Sequence, residues 1–356
     1  MNKDTRDLLA AVEASPDGIH TLSTVVAVAG SSYRRPGARM LVHASGRITG
    51  SVSGGCLEAE IARRGRWWAE AGPVVRRFES ADDVGTGCGG TIDILVENTT
   101  AADPTGPLAA LRWIATRRTA ACLATVVAGP ALGTRCAFTA DDSWPAPSSS
   151  LVARCAADAR TVLATGASVR RRHDPYDVFF EHIPAARELL VAGRHHDVAP
   201  LVRIARLVGW DVTVAAAGVA PRALGDPDHL LAPTEPAVAA WLGTRPGAAV
   251  LLMTHSADLD RRLLATVLTA TTPAYLGVLG PPHRTADLVS TLDLPPRALA
   301  AIRTPVGLDL GGDGPEAIAL SIVADLQATW YRRTAARLCN PDTALWRPHP
   351  QLATAS

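Results

Sequence analysis

The sequence predicts an α/β protein of two domains, the second a doubly wound parallel sheet. Three observations carry this expectation. A chain of 356 residues with 47% hydrophobic content is long enough for two ordinary cores rather than one. From Arg187 onward, β-branched runs alternate with stretches of helical length, as happens when helices cover both faces of a parallel sheet. The first half is organised differently, around strings that recur.

In that first half Thr24-Val25-Val26-Ala27 returns as Thr125-Val126-Val127-Ala128, each an apolar run suited to a buried strand. Gly37-Ala38-Arg39 is echoed by Gly133-Thr134-Arg135, and Asp93-Ile94-Leu95-Val96-Glu97 by Asp177-Val178-Phe179-Phe180-Glu181. Helices fit between, from Leu57 to Ala71 and from Val152 to Ala164. The pattern predicts a degenerate internal duplication, two α/β half-units joined through Ala101 to Pro107 in one domain over residues 1–185. Chance recurrence in an Ala/Val-rich chain is the alternative.

In the second domain, residues 186–331, strands are expected at Glu188 to Ala192, Asp211 to Ala215, Ala248 to Met253, Ala274 to Leu279 and Val306 to Leu310. Helices are expected at Ala199 to Val208, Asp258 to Thr269, Arg284 to Thr291 and Pro315 to Thr329. Pro315-Glu316 suits a helix first turn, where the missing proline donor costs nothing and the carboxylate meets the helix dipole. The Pro-rich polar stretch 332–356 reads as a surface tail.

Lys plus Arg (35) nearly cancels Asp plus Glu (34), so no global field favours nucleic acid or an anionic membrane. The opening Met1-Asn2-Lys3-Asp4-Thr5-Arg6-Asp7 does not resemble an export signal, and runs such as Ala248 to Met253 are too short to span a bilayer. A cytoplasmic protein is expected. Its six cysteines have neither the spacing of a zinc site nor the density of a disulfide scaffold. Free thiols follow, with Cys122, Cys136, Cys155 and Cys339 as small apolar fillers.

Cys56 and Cys88 stand apart because glycines flank them, in Gly50-Ser51-Val52-Ser53-Gly54-Gly55-Cys56-Leu57-Glu58 and Gly85-Thr86-Gly87-Cys88-Gly89-Gly90. Glycine-rich backbone can turn successive amides into a hollow that receives an anion. A cysteine just before a helix is open to thiolate stabilisation by the amide dipoles, with Arg34, Arg35 and Arg39 as further positive charge. From residues alone, a ligand-facing thiol and a structural one weigh equally.

Together, Ser31-Ser32-Tyr33-Arg34-Arg35-Pro36-Gly37-Ala38-Arg39-Met40, Ser53-Gly54-Gly55-Cys56-Leu57-Glu58 and Gly87-Cys88-Gly89-Gly90 resemble the successive amino-domain motifs of the XdhC/CoxI family. Met253-Thr254-His255, Tyr275-Leu276-Gly277-Val278-Leu279-Gly280 and Pro305-Val306-Gly307-Leu308-Asp309-Leu310-Gly311 resemble that family's Rossmann-like domain. The resemblance implies a maturation factor rather than a catalyst. It implies transient binding of molybdenum cofactor, its protection or sulfuration with a cysteine desulfurase, and delivery to an apo molybdenum hydroxylase such as xanthine dehydrogenase. Carried onto this chain, the cofactor residues are Arg39, Ser53, Gly54, Gly55, Cys56, Gly87, Cys88, Gly89, Gly90, His196 and His255, with Cys56 and Cys88 as the working thiols. A homodimer through Trp67-Trp68 is a further expectation.

The residues argue against NAD(P). Gly193-Arg194-His195-His196-Asp197-Val198 sits where a dinucleotide fingerprint belongs, but His195 and Val198 replace its second and third glycines. The second strand runs into Val214-Ala215-Ala216-Ala217, without the acid that holds ribose hydroxyls. His196, Thr254, His255, Gly280, Arg284 and Asp309 still fall at strand carboxyl ends, where such sheets bind ligands. Imidazole and carboxylate suit a metal, yet histidines at loop starts more often satisfy backbone groups, so no metal is expected. The rival readings are an NAD(P)-dependent oxidoreductase and a cofactor-free assembly scaffold.

Overall fold

The computed structural model describes residues 3–30, 32–55, 57–79, 90–145, 150–290, 292, 298 and 300–337. One compact unit contains Met1–Ala186 and a second begins at Arg187.

The first unit runs α1 (Lys3–Glu13), β1 (His20–Gly30), β2 (Arg39–Val42), β3 (Ile48–Gly50), α2 (Glu58–Trp68), β4 (Val74–Glu79) and β5 (Gly90–Thr99). It then repeats the sequence of element types with α3 (Pro107–Arg117), β6 (Ala121–Ala128), β7 (Arg135–Phe138), β8 (Ser143–Trp144), α4 (Ser150–Thr165), β9 (Val169–His173) and β10 (Tyr176–Ile183). Two antiparallel sheets result, β3-β2-β1-β5-β4 and β8-β7-β6-β10-β9, with the same order. The likeness is one of topology.

The recurring strings occupy equivalent places in it. Opposite Ile94 and Asp93 the β1 register slips between Val25 and Ala27; opposite Val178 and Asp177 the β6 register slips between Val126 and Ala128. Each Thr-Val-Val-Ala thus carries a bulge at its second valine, which bends the strand and re-aims that side chain. Val26 and Val127 enter one buried cluster with Leu95 and Phe179. The turns match as well. Val25 accepts from Gly37 N at 2.8 Å and donates to Ala38 O at 2.9 Å, while Val126 accepts from Gly133 N at 2.9 Å and donates to Thr134 O at 2.8 Å. Helix α2 is shorter than expected, and α1 and α3 fall outside the sequence expectation. Trp67 is 70% exposed, whereas Trp68 leans on Phe78 with ring centroids 6.0 Å apart.

The second unit is a six-stranded parallel sheet of β11 (Arg187–Ala192), β12 (Trp210–Ala215), β13 (His229–Leu231), β14 (Ala249–Leu252), β15 (Tyr275–Val278) and β16 (Ile302–Arg303) in the order β13-β12-β11-β14-β15-β16. Its helices are α5 (Val198–Leu207), α6 (Glu235–Gly243), α7 (Ala257–Ala270), α8 (Pro282–Ser290) and α9 (Pro315–Trp330). Alternate residues of β11 feed the two faces: Leu189 and Val191 pack with Val198, Leu201 and Trp210, while Leu190 and Ala192 pack with Leu263, Leu264 and Val267. This is the doubly wound sheet the alternating pattern predicts.

One expected strand fails. Residues 306 to 310 leave the sheet because Gly307 holds φ +109°, where a Cβ would stand 2.5 Å from Ser321 Oγ. Leu308 instead bonds Ser321, its N donating to Ser321 O at 3.2 Å and its carbonyl accepting from the Ser321 hydroxyl. β13 and α6 fill a stretch to which the sequence pattern assigns no element. Helix α7 is capped by Ser256, whose Oγ accepts from Leu259 N at 3.3 Å, with Asp258 and Asp260 in the first turn. Ser256→Ala is expected to cost about 1 kcal/mol in chemical denaturation of the second unit. Among the described residues no helix is long and apolar enough to cross a membrane.

Candidate functional site

The glycine-rich turn before α2 is an amide hollow already filled from within. The Glu58 carboxylate accepts from the amides of Val52 at 3.0 Å, Ser53 at 2.8 Å, Gly54 at 3.1 Å, Gly55 at 2.8 Å and Leu57 at 3.2 Å. The hydroxyls of Ser51 and Ser53 close the ring. Partial burial pushes this carboxyl up, but the Ser51 and Ser53 hydroxyls and the backbone amides outweigh it and hold it far below the usual carboxylate range. The expectation that Ser53, Gly54 and Gly55 offer free amides to an outside anion is therefore corrected. Gly54, at φ +95°, also lies beneath the Tyr33 ring, 2.7 Å from where a Cβ would be.

Helix α2 starts at Glu58, and its first turn carries Glu58 and Glu60. Two carboxylates there offset the positive end of the dipole, so the helix start is a weaker thiolate stabiliser than the sequence suggests. Cys56, Gly87, Cys88 and Gly89 lie outside the described residues; Gly90 opens β5.

Arg39 is not a cofactor arm. It is 4% exposed, and its Nη1 donates to Glu181 Oε1 at 2.9 Å and to Gly37 O at 2.9 Å, while Nη2 pairs with the other carboxylate oxygen. Arg135 makes the reciprocal ion pair with Glu97, both also buried. The echoed Gly-x-Arg and Asp-to-Glu strings thus cross-link the two halves. Arg34 pairs with Asp4. Cys122, Cys136 and Cys155 are buried free thiols, as expected, and burial pushes Cys122 well above the ordinary thiol range.

In the second unit, β11 and β14 are neighbours whose onward connections run to opposite edges of the sheet, so the crevice between their carboxyl ends is the switch point. Two loops meet there. His255 Nε2 stands 3.0 Å from Asp197 Oδ2, and the His195 ring meets the His255 ring edge-on with centroids 4.6 Å apart. His196 is exposed, as is Asp309. Sequence reasoning selects His196 and passes over His195 and Asp197; the two-residue spacing of His195 and Asp197, facing His255, is the available signal.

His255 has φ +58°, unusual for a residue with a side chain. Its neighbours hold it there. Thr254 donates its amide at 3.3 Å and its hydroxyl at 2.7 Å to Asp260 Oδ1, and accepts Ser256 N at 3.1 Å. Asp260 is fully buried and takes Arg284 Nη2 on its other oxygen at 2.6 Å. Burial pushes the Asp260 carboxyl above its ordinary range against the opposing pull of Thr254 and Arg284. Arg284 also binds Leu279 O at 2.9 Å, so the loops after β14 and β15 are tied together.

A paired-sheet unit followed by a doubly wound parallel sheet defines a two-unit α/β protein of the Rossmann-domain class. The chain belongs to the XdhC and CoxI family. Residues 20–79 match the family model described as "XdhC and CoxI family", and residues 189–326 match that of the "XdhC Rossmann domain". Over 331 residues, 87% of this chain and 93% of the other, it is 25% identical to a Bacillus subtilis (strain 168) protein named as a probable xanthine dehydrogenase subunit. A crystal structure described as a xanthine dehydrogenase from Bacillus halodurans superposes with a TM-score of 0.72 at 24% identity, covering 96% of this chain and 99% of that one. That second likeness is one of fold.

Proposed function

We propose that this protein is an accessory factor for a xanthine dehydrogenase-type molybdenum hydroxylase, binding molybdenum cofactor transiently, supporting its sulfuration with a cysteine desulfurase, and passing it to the apoenzyme in the cytoplasm. The observation that carries the reading is the family match over residues 20–79, which spans the Tyr33, Arg39 and Cys56 to Glu58 motifs. The name of the Bacillus subtilis relative points the same way.

The amide hollow does not suit a pterin phosphate while Glu58 fills it, so no step is assigned to it. What the loop supplies is a rigid frame: Glu58 holds the amides of Gly55 and Leu57, the residues on either side of Cys56. Cys56 lies within the matched stretch and Cys88 beyond it, which makes Cys56 the first choice for contact with molybdenum or relay of sulfur.

Protein purified from a host that makes molybdenum cofactor is expected to release fluorescent pterin on denaturation. The Cys56→Ala/Cys88→Ala variant is expected to release at least about tenfold less and to mature its hydroxylase poorly. Full maturation by that variant, or pterin-free wild type, would overturn the reading. Saturable NAD or NADP binding in the same preparation would promote the oxidoreductase instead, and sedimentation tests the homodimer.

A further inference from the structure

We propose that His195, Asp197 and His255 form a binding site for a divalent transition-metal ion at the switch point of the parallel sheet. The molybdenum reading is carried by residues 20–79 of the other unit, and His255 is the one ligand shared with the cofactor residues that the family resemblance implies. The site's donors are two imidazoles and one carboxylate with positions left for solvent, a set that borderline divalent ions prefer.

Four observations point to a ligand here. Asp197 is 8% exposed and its Oδ1 is buried without a hydrogen-bond partner. A buried carboxylate whose second oxygen is unmet is costly, and a cation held on Oδ2 beside His255 offsets its charge. Second, the 3.0 Å between Asp197 Oδ2 and His255 Nε2 is a hydrogen bond in the metal-free protein. It is also the separation of two donors each about 2.0–2.2 Å from a shared ion. Third, the 4.6 Å between the His195 and His255 ring centroids falls within the range for two imidazoles on one ion. Fourth, His255 is kept at φ +58° by the buried Thr254 and Asp260, with the half-buried Arg284 on the far carboxylate oxygen, and such backbone strain gathers at ligand clamps.

A loop fastener would explain the hydrogen bond between Asp197 and His255. It explains neither the unmet Oδ1 nor an exposed second histidine turned edge-on to the first. Among the described residues no three His, Cys, Asp or Glu side chains already converge on one point. His195 is exposed, so its ring turns about its side-chain bonds without moving the backbone, and it completes the set on binding.

The test is Co2+ titration of the chelator-stripped full chain, followed by calorimetry and by the visible absorption of the bound ion. One ion per chain is expected, weakened at least about tenfold in each of His195→Ala, Asp197→Asn and His255→Ala, and unchanged in His196→Ala, the exposed neighbour in the same loop. Absence of saturable binding would overturn the proposal, as would a near-ultraviolet sulfur-to-cobalt band that places the ion on cysteine. Should His255→Ala fail to fold, His195→Ala decides: it changes an exposed side chain, and unaltered affinity there removes the three-donor site.

Discussion

Arg39→Ala will lower the unfolding free energy of the first unit by about 3–5 kcal/mol, and Glu181→Ala by a similar amount. The reason is what remains behind. Arg39 and Glu181 are 4% and 5% exposed, in a buried layer that Leu22, Val26, Leu95 and Phe179 line together with the Arg135–Glu97 pair. Removing the guanidinium strands a carboxylate and also frees the Gly37 carbonyl it holds. The cavity beside the pair is about 10 Å³, at the lower limit for one water, so the intact pair is met by protein groups and not by solvent. Replacing both partners with apolar residues of similar volume, Arg39→Met with Glu181→Leu, should recover most of the loss, because no charge is then buried alone. Urea denaturation followed by circular dichroism measures both. A single-variant loss below about 1 kcal/mol would show that the pair is solvated after all.

This reciprocal pair also shows how much could be read before any coordinates. The echo of Gly37-Ala38-Arg39 in Gly133-Thr134-Arg135, and of Asp93 to Glu97 in Asp177 to Glu181, marks equivalent positions of two sheets with one order. Sequence reveals correspondence but not pairing: nothing in the strings says that each arginine meets the other half's glutamate. An isolated arginine in a loop motif reads as a ligand arm because its burial depends on residues more than a hundred positions away.

The parallel sheet was legible for a different reason. Strands buried on both faces are continuous apolar runs, and β11, β12, β14 and β15 all fall within a residue or so of their expected limits. The two-residue β16 and three-residue β13 carry too little hydrophobic pattern to be seen, and Gly307 breaks an otherwise good run through its backbone angle. At the switch point, chain position brings the loops after β11 and β14 together, while side-chain direction turns His195 rather than His196 toward His255.

Glu58 stands in the sequence only as the last residue of a glycine-rich motif, with nothing to show that its carboxylate closes the loop on itself, and its consequences are measurable. At neutral pH Glu58→Gln is expected to destabilise the loop by about 1–3 kcal/mol, a figure discounted because the carboxylate is only partly buried. The amide can accept through one oxygen only, and it brings two donors into a ring of donors. The pH dependence separates this from a general packing defect. In the unfolded chain Glu58 takes up its proton near its ordinary value of 4.5, whereas the folded loop keeps the carboxyl ionised to far lower pH. Between those limits the unfolded state binds more protons, so wild-type stability falls as the pH drops; above about pH 5 both states are ionised and the contribution is constant. The stability gap between wild type and Glu58→Gln should therefore hold steady from about pH 7 to pH 5 and then close as acid is added. A gap of the same size at about pH 3 as at neutrality would mean that the seven donors do not gather on a charged carboxylate. The amides of Ser53, Gly54 and Gly55 would then again be open to an outside anion.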